Sequence, residues 1–220
     1  MLIYCLIPAR KGSKRIKNKN LILFKGKHLI NHTVKHAIQS KLVNKVFVST
    51  NDKRVSKIVP NSVYIVNRPG NISKDKSSTE ESISHFFSYL KKYKIELPHA
   101  IVLLQCKSPY REYNDIDLAI KNFKKKKFDS LFSAFKNKNL FWRFENKNLK
   151  PINYNPKKRR REQEMNNQLI ENGSIYIFKT KGFLKNKCRI FGKIGSYTMK
   201  RENSFQIDNY EDIRFIKKIK

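Results

Sequence analysis

The sequence predicts an α/β fold with a mostly parallel central sheet, and three features carry that expectation. Residues 2–7, 45–49, 63–66 and 100–104 are short runs rich in Val, Ile and Leu, the signature of strands covered on both faces. Residues 29–38 and 77–90 are spaced for helices; in the second, Ile83, Phe86, Phe87 and Leu90 fall at i, i+3, i+4 and i+7. Strand and helix alternate, which requires βαβ units and crossover connections.

The remaining elements follow in chain order. The helix at 77–90 opens on Ser77-Ser78-Thr79-Glu80-Glu81, where capping-box spacing occurs twice, Ser77 with Glu80 and Ser78 with Glu81. A helix over 115–123 would place Ile116, Ile120 and Phe123 on one face. The second half is less regular: 129–135, 140–145 and 174–178 read as strands, a polar stretch fills 153–167, and 210–219 closes as an amphipathic helix. Two basic runs, 124–127 and 157–161, have the composition of solvated faces.

Charge bounds the function classes. With 49 Lys+Arg against 17 Asp+Glu the net charge is +32, yet 39% hydrophobic residues supply a core, so disorder is excluded and one domain over residues 1–220 is expected. Seven apolar residues at the N-terminus, followed rather than preceded by charge, do not make an export signal, and no stretch approaches the ~20 apolar residues of a membrane span. Cys5, Cys106 and Cys188 are odd in number and far apart, as reduced thiols of a cytoplasmic protein would be. A basic chain invites a nucleic-acid reading, but 37 Lys accompany only 12 Arg, together with 22 Asn and 24 Ile. Lys, Asn and Ile share A/T-rich codons, so compositional drift explains the surface better than a polyanion site, which leans on Arg.

Ligands of open α/β sheets bind beyond the carboxyl ends of the strands. After the first strand comes Pro8-Ala9-Arg10-Lys11-Gly12-Ser13-Lys14-Arg15-Ile16-Lys17-Asn18-Lys19-Asn20, six cations and no acid in thirteen residues. One Gly permits a tight turn, and amides with Lys and Arg can wrap a polyphosphate. It is neither a Walker loop nor a Rossmann fingerprint, and a plain basic surface loop would have the same composition.

The segment IPARKGSKRIKNKN resembles the opening signature IPAR-x-GSK-x-I-x-x-KN of the acylneuraminate cytidylyltransferases, which make CMP-sialic acid and related CMP-nonulosonates. VSTND (48–52), RPGNISKDKSST (68–79), LQCKSPYR (104–111), ENGSIYIF (171–178) and SFQIDNYED (204–212) resemble further family segments in order and spacing. The resemblance implies a Rossmann-like nucleotide-diphospho-sugar transferase fold, with a small dimerisation and sugar-binding arm at about 136–170 and a homodimer. It implies transfer of CMP from CTP to the anomeric hydroxyl of a nonulosonic acid such as sialic, legionaminic or pseudaminic acid, releasing pyrophosphate, in cell-surface polysaccharide biosynthesis.

By the same resemblance Arg10, Lys19 and Asn20, with Ser13, bind the triphosphate, and Pro8 and Ala9 belong to the backbone wall against the cytosine. Arg68, Ser78 and Thr79 contact base and ribose; those hydroxyls equally cap a helix. Gln105, Asn172, Tyr176, Arg161 and Gln163 form the sugar pocket, Arg161 facing the sugar carboxylate; Tyr176 is as well suited to the core. Mg²⁺ is the implied cofactor, with Arg10, Lys19 and Asp208 as catalytic residues, Asp208 as metal ligand and Gln206 as a second, weaker candidate ligand.

The chain departs from the family pattern. Gln206 replaces the first acid of a D-x-D motif, Glu162 the second arginine before Gln163, and Cys106 and Lys107 the usual Pro and Thr. Asp212 reads as a carboxylate at a helix N-terminus. Cys106 lacks the setting of a nucleophile. His28, His32 and His36, at i, i+4 and i+8, could bind a transition metal but read better as helix packing. Phe141, Trp142 and Phe144 suit a dimer arm or core. Two other readings stay open: CMP-Kdo synthesis, and a nucleic-acid-binding protein on a catalytically weakened fold.

Overall fold

The computed structural model describes residues 1–159, 161, 163 and 168–219, the side chains of 216–219 excepted. The central sheet has seven strands: β1 (Ile3–Pro8), β4 (Lys45–Thr50), β5 (Tyr64–Asn67), β6 (Ala100–Leu104), β7 (Ser130–Asn137), β10 (Gln168–Lys179) and β11 (Ile194–Thr198). Their spatial order is β11-β7-β10-β6-β1-β4-β5. β1 pairs in parallel with both β4 and β6, β5 with β4 and β11 with β7, while β10 runs antiparallel to β6 and β7. The sheet is thus mostly parallel, as the strand composition predicts.

β1 shows why the strands are apolar at every position. Ile3, Cys5 and Ile7 face one side, against Ile30, Val34 and Ala37 of α1 (Leu29–Gln39) and Ile116, Ala119, Ile120 and Phe123 of α4 (Asp115–Lys125). Tyr4 and Leu6 face the other, with Ile83, Phe86, Phe87 and Leu90 of α3 (Thr79–Lys92) and Phe183 of α5 (Thr180–Asn186). Successive strand side chains point to opposite faces, so a two-sided core demands a continuous apolar run.

Leaving β1 the chain first builds β4 and β5 on one side, then returns to place β6 on the other. Strand order therefore reverses at β1, and the crevice beyond its carboxyl end is where such sheets bind ligands.

Several elements were not legible. β2 (Leu23–Phe24) and β3 (Lys27–His28) form a short hairpin, and α2 (Lys53–Ile58) is one short helix. The expected strand at 174–178 is the end of the twelve-residue β10, whose first half pairs with β7 and whose register breaks between Glu171 and Tyr176. Gly173, at φ +60°, sits in that break. The expected strand at 140–145 is one arm of a separate hairpin, β8 (Trp142–Glu145) with β9 (Asn148–Pro151), outside the main sheet. Phe141, Trp142 and Phe144 are exposed there, so they are not core. The last helix, α6 (Tyr210–Ile219), has the expected bounds. Among the described residues no helix is long and apolar enough to cross a membrane.

His32 ties α1 to the hairpin, donating to the Phe24 carbonyl (2.7 Å), and His28, at the end of β3, donates to the Leu21 carbonyl (2.6 Å). His36 is held to about 3 by burial, then by the nearby positive charge of Arg111. The packing reading of these residues stands. Phe86 is fully buried, edge-on to Phe47 at 4.9 Å. Phe86→Ala should cost about 3–5 kcal/mol, read as a lower midpoint in equilibrium denaturation.

Candidate active site

The first loop is shaped by one glycine and one isoleucine. Gly12 adopts φ +83°, which an L side chain rarely takes, and its carbonyl accepts from Arg10 Nη1 at 3.0 Å. Ile16 is fully buried with Phe24, Leu29 and Ile207, so the loop is pinned to the segment before α6 despite its charge. Asn18 then turns left-handed (φ 55°) into a short 3₁₀ turn, Lys19–Leu21. Asn20 Nδ2 donates to the Arg10 carbonyl (3.0 Å), closing the loop on itself.

A cleft of about 350 Å³ lies beyond the ends of β1 and β6. Pro8, Arg10, Ser13, Lys19 and Asn20 line it from the first loop; Arg68 from the end of β5; Ser77, Ser78, Thr79 and Ser82 from the start of α3; Gln105, Cys106 and Lys107 from the end of β6. Four of these residues are cationic and none is acidic. Ala9 lies just below, its amide donating to the Ser49 carbonyl and its carbonyl accepting from the Thr50 hydroxyl. Nine sequence-predicted nucleotide residues thus converge on one place.

Arg68 is buried, donating to the Ser49 hydroxyl (3.1 Å) and carbonyl (3.0 Å). Burial, then the positive charge of Arg10, lowers its pKa to about 10, so it stays cationic at neutral pH. Ser78 is the N-cap of α3: its hydroxyl accepts from the Glu81 amide and Glu81 accepts from the Ser78 amide, a capping box. Of the two boxes in the sequence this one forms; Ser77 Oγ accepts from the Lys74 amide instead. Burial pushes the Cys106 thiol up to about 12, which fits no nucleophile.

Asp208 Oδ1 pairs with Lys19 Nζ at 2.8 Å and Oδ2 with Lys107 Nζ at 3.3 Å. Burial alone would raise this carboxyl, but the two ammonium groups hold it below its ordinary value. Asp212 accepts from the amides of Asp208 (2.6 Å) and Asn209 (2.8 Å), capping α6 as expected. Gln206 donates to the Asn172 carbonyl and faces Gly173. Mg²⁺ prefers one or two free carboxylates. Among the described residues Asp208 is neutralised twice and Gln206 is turned to the main chain. The residues present do not fit an Mg²⁺ site.

Beside the cleft, Gln105, Gln206 and Tyr176 surround Gly173. A Cβ there would lie 2.7 Å from Gln206 Nε2, 3.4 Å from Gln105 Oε1 and 3.7 Å from the Tyr176 hydroxyl. Tyr176 serves both readings: its ring is core, stacked under Arg189 at 4.7 Å, and its hydroxyl donates to Glu171. Asn172 is corrected to a structural residue. It is buried, its Nδ2 donating to Ser204 Oγ (2.9 Å) and its Oδ1 accepting from the Ser133 hydroxyl (2.5 Å) and Ser174 amide (3.2 Å). Arg161 and Gln163 are exposed and make no described contact with this group; Arg160, Glu162 and the end of the polar stretch lie outside the described residues.

Sequence reasoning missed two residues. Arg111 is buried, its pKa lowered to about 10 by burial, and donates to the carbonyls of Gln105 (2.7 Å), Ser108 (2.8 Å) and Ser174 (2.8 Å), locking β6 to β10. The other is Lys107, visible in sequence only as a departure from a motif.

A parallel sheet with a cation-lined, nucleotide-sized cleft at its switch point is the architecture of nucleotidyltransferases. Solved structures agree on the fold: a CMP:2-keto-3-deoxy-manno-octonic acid synthetase complexed with CTP (TM-score 0.70, 17% identity, 100% of this chain and 98% of that one) and a 4-diphosphocytidyl-2C-methyl-D-erythritol synthase (TM-score 0.73, 9% identity, 99% and 98%). Residues 4–220 match the sequence profile of a family described as cytidylyltransferase. The chain belongs to that family. Similar curated proteins are the N-acylneuraminate cytidylyltransferase A of Danio rerio (31% identity over 211 residues, 94% of this chain, 48% of that protein) and an N-acylneuraminate cytidylyltransferase of Streptococcus agalactiae serotype V (28% over 214 residues, 94% and 51%). The chain spans about half the length of these relatives.

Because the folded pKa of Asp208 is depressed, its stabilisation is complete above the unfolded value of about 4 and is lost as pH falls through the lower folded value. Wild type and Asp208→Asn should therefore differ in denaturant midpoint at neutral pH, and the gap should close as pH falls below the ordinary carboxylate range. A gap independent of pH would refute the ion pairing.

Proposed function

We propose that this chain transfers CMP from CTP to the anomeric hydroxyl of a nonulosonic acid, sialic acid or a relative, releasing pyrophosphate. The observation that carries the reading is the cleft at the β1 switch point: Arg10, Lys19, Arg68 and Lys107 face it with no acid among its lining residues. CTP brings about four negative charges, and preorganised cations stabilise the charge that builds on its leaving group. The relatives named for acylneuraminate support the acceptor class.

In this reading the sugar oxygen attacks the α-phosphorus, the bond to the β-phosphate oxygen breaks with inversion in line, and the hydroxyl proton leaves to solvent. Arg10 and Arg68 hold the nucleotide. Thr79, whose neighbour Ser78 is committed to the cap, reaches the ribose. Gln105, Gln206 and the Tyr176 hydroxyl, brought close together by the missing side chain of Gly173, meet sugar hydroxyl or amide groups. Cytoplasmic supply of a CMP-sugar for surface polysaccharide is the setting this chemistry implies.

Pyrophosphate release from CTP with a panel of nonulosonic acids and Kdo tests the reading. One nonulosonic acid should support turnover, and Arg10→Ala should lower kcat by about 10²–10³, as loss of a charge-stabilising donor does. Turnover with Kdo alone would favour the alternative sugar; none with any acid, despite folded protein, would refute the reading.

The same reading includes a homodimer. The β8–β9 hairpin stands apart from the sheet and exposes Trp142, Phe144 (76%) and Leu149, an apolar cluster that a second subunit would cover. Phe144→Asp should convert a dimer to monomer in sedimentation velocity; a wild-type monomer at all concentrations would overturn this part.

A further inference from the structure

We propose that Lys107 is a triphosphate-binding residue of this chain, and that its ammonium group, steadied by Asp208, supplies charge there in place of an Asp208-bound Mg²⁺. The inference rests on the CMP-transfer reading of the cleft and names a residue which that reading alone does not assign.

The two lysines on Asp208 are not equivalent. Lys19 is 16% exposed and already donates twice, to the Ile207 carbonyl at 2.7 Å and to Asp208 at 2.8 Å. Lys107 is 28% exposed, lines the cleft, and its described bond is the longer one to Asp208 at 3.3 Å. An ammonium group has three donors, so Lys107 keeps donors for a ligand while Lys19 serves mainly to bind Asp208 in place. The backbone fixes the arrangement, because the Lys107 carbonyl accepts from the Ile207 amide at 2.8 Å. Lys107 and Asp208 are thus held side by side whatever their side chains do.

Charge decides what the site will accept. Two ammonium groups and one carboxylate leave one net positive charge, and Gln206 adds none. A divalent cation would have to displace Lys107 or Lys19 from Asp208 and then sit beside it. A phosphate oxygen meets the opposite situation: it finds a free N–H of Lys107, with Arg10 lining the same cleft, and forms a charge-assisted hydrogen bond without disturbing the pair.

CTP affinity measured by calorimetry in EDTA and again in Mg²⁺ tests this on the whole chain. Wild type should bind CTP in EDTA with little gain from Mg²⁺. Lys107→Met should weaken binding in EDTA by about tenfold or more, as removal of a charge-assisted bond does, and Lys107→Arg should restore most of it. The pair Lys107→Thr with Gln206→Asp, which exchanges the ammonium for a second carboxylate, should make CTP binding depend on Mg²⁺. On the wild type itself, CTP in EDTA should protect Lys107 from reductive methylation; this readout stands even if a variant fails to fold. Equal affinity of wild type and Lys107→Met in EDTA, or unprotected Lys107 in the presence of bound CTP, would overturn the inference alone. No CTP binding with or without Mg²⁺ would overturn the reading of the cleft and the inference together.

Discussion

The burial of Ile207 is the contact on which the candidate site depends. Its side chain is fully covered by Ile16, Phe24 and Leu29, its amide donates to the Lys107 carbonyl and its carbonyl accepts from Lys19. One residue thereby joins the lead into α6 to the first loop, 188 positions away at Lys19, and to the end of β6, 100 positions away at Lys107. A loop with six cations in thirteen residues would otherwise repel itself away from the sheet. Two buried isoleucines, each removing apolar surface from water at about 25 cal/mol per Å², hold it in a defined shape while its charged side chains stay at the surface.

The charge of the cleft is met locally by acids at its edge rather than in its lining. Asp75 pairs with Arg10 at 3.0 Å and Lys14 at 3.2 Å; Asp208 pairs with Lys19 and Lys107. Asp75 is partly exposed, so its pairs are screened and individually weak. A triphosphate can take Arg10 from Asp75 at little cost. Asp208 is about as exposed, but backbone bonds bound its pairs: Lys19 also donates to the Ile207 carbonyl, and the Ile207 amide donates to the Lys107 carbonyl, so the pairs persist and orient the lysines. The two acids, alike in sequence as single carboxylates near basic residues, serve different ends because main-chain bonds to Ile207 hold the lysines of Asp208 beside it.

The sheet was legible because its cause is local: consecutive apolar residues make two-faced strands, and strands 2–7 and 100–104 of the sequence fall within a residue of β1 and β6. The nucleotide side was legible by motif resemblance rather than periodicity; what the fold adds is that Arg10, Lys19, Asn20, Arg68 and Thr79 line one cleft. The sugar side was not. Asn172 has the composition of a ligand-binding residue, but its hydrogen bonds to Ser133 and Ser204 depend on β7 and the chain after β11, which no periodicity foretells. Arg161 matches a family arginine before Gln163, yet it is exposed and makes no described contact with the group around Gly173, because a motif match does not fix where a long exposed side chain ends in space. Lys107 was passed over because a single lysine among 37 carries no pattern; only its pairing with Asp208 gives it meaning.

Two buried arginines show how the floor of the cleft is prepared. Arg68 and Arg111 are both nearly sealed from water, and both have pKa values brought down to about 10 by that burial. Their described hydrogen bonds go to hydroxyls and carbonyls, Ser49 for Arg68 and Thr33, Gln105, Ser108 and Ser174 for Arg111, rather than to carboxylates. Neutral acceptors satisfy geometry without cancelling charge, so positive potential remains beneath the cleft where the dielectric is low. Desolvating two cations lowers the stability of the empty protein. An anion in the cleft offsets that cost, and because the guanidinium groups are already oriented, little reorganisation accompanies binding. Unlike the lysines that compositional drift spreads over the surface, these two arginines make a buried and directed field.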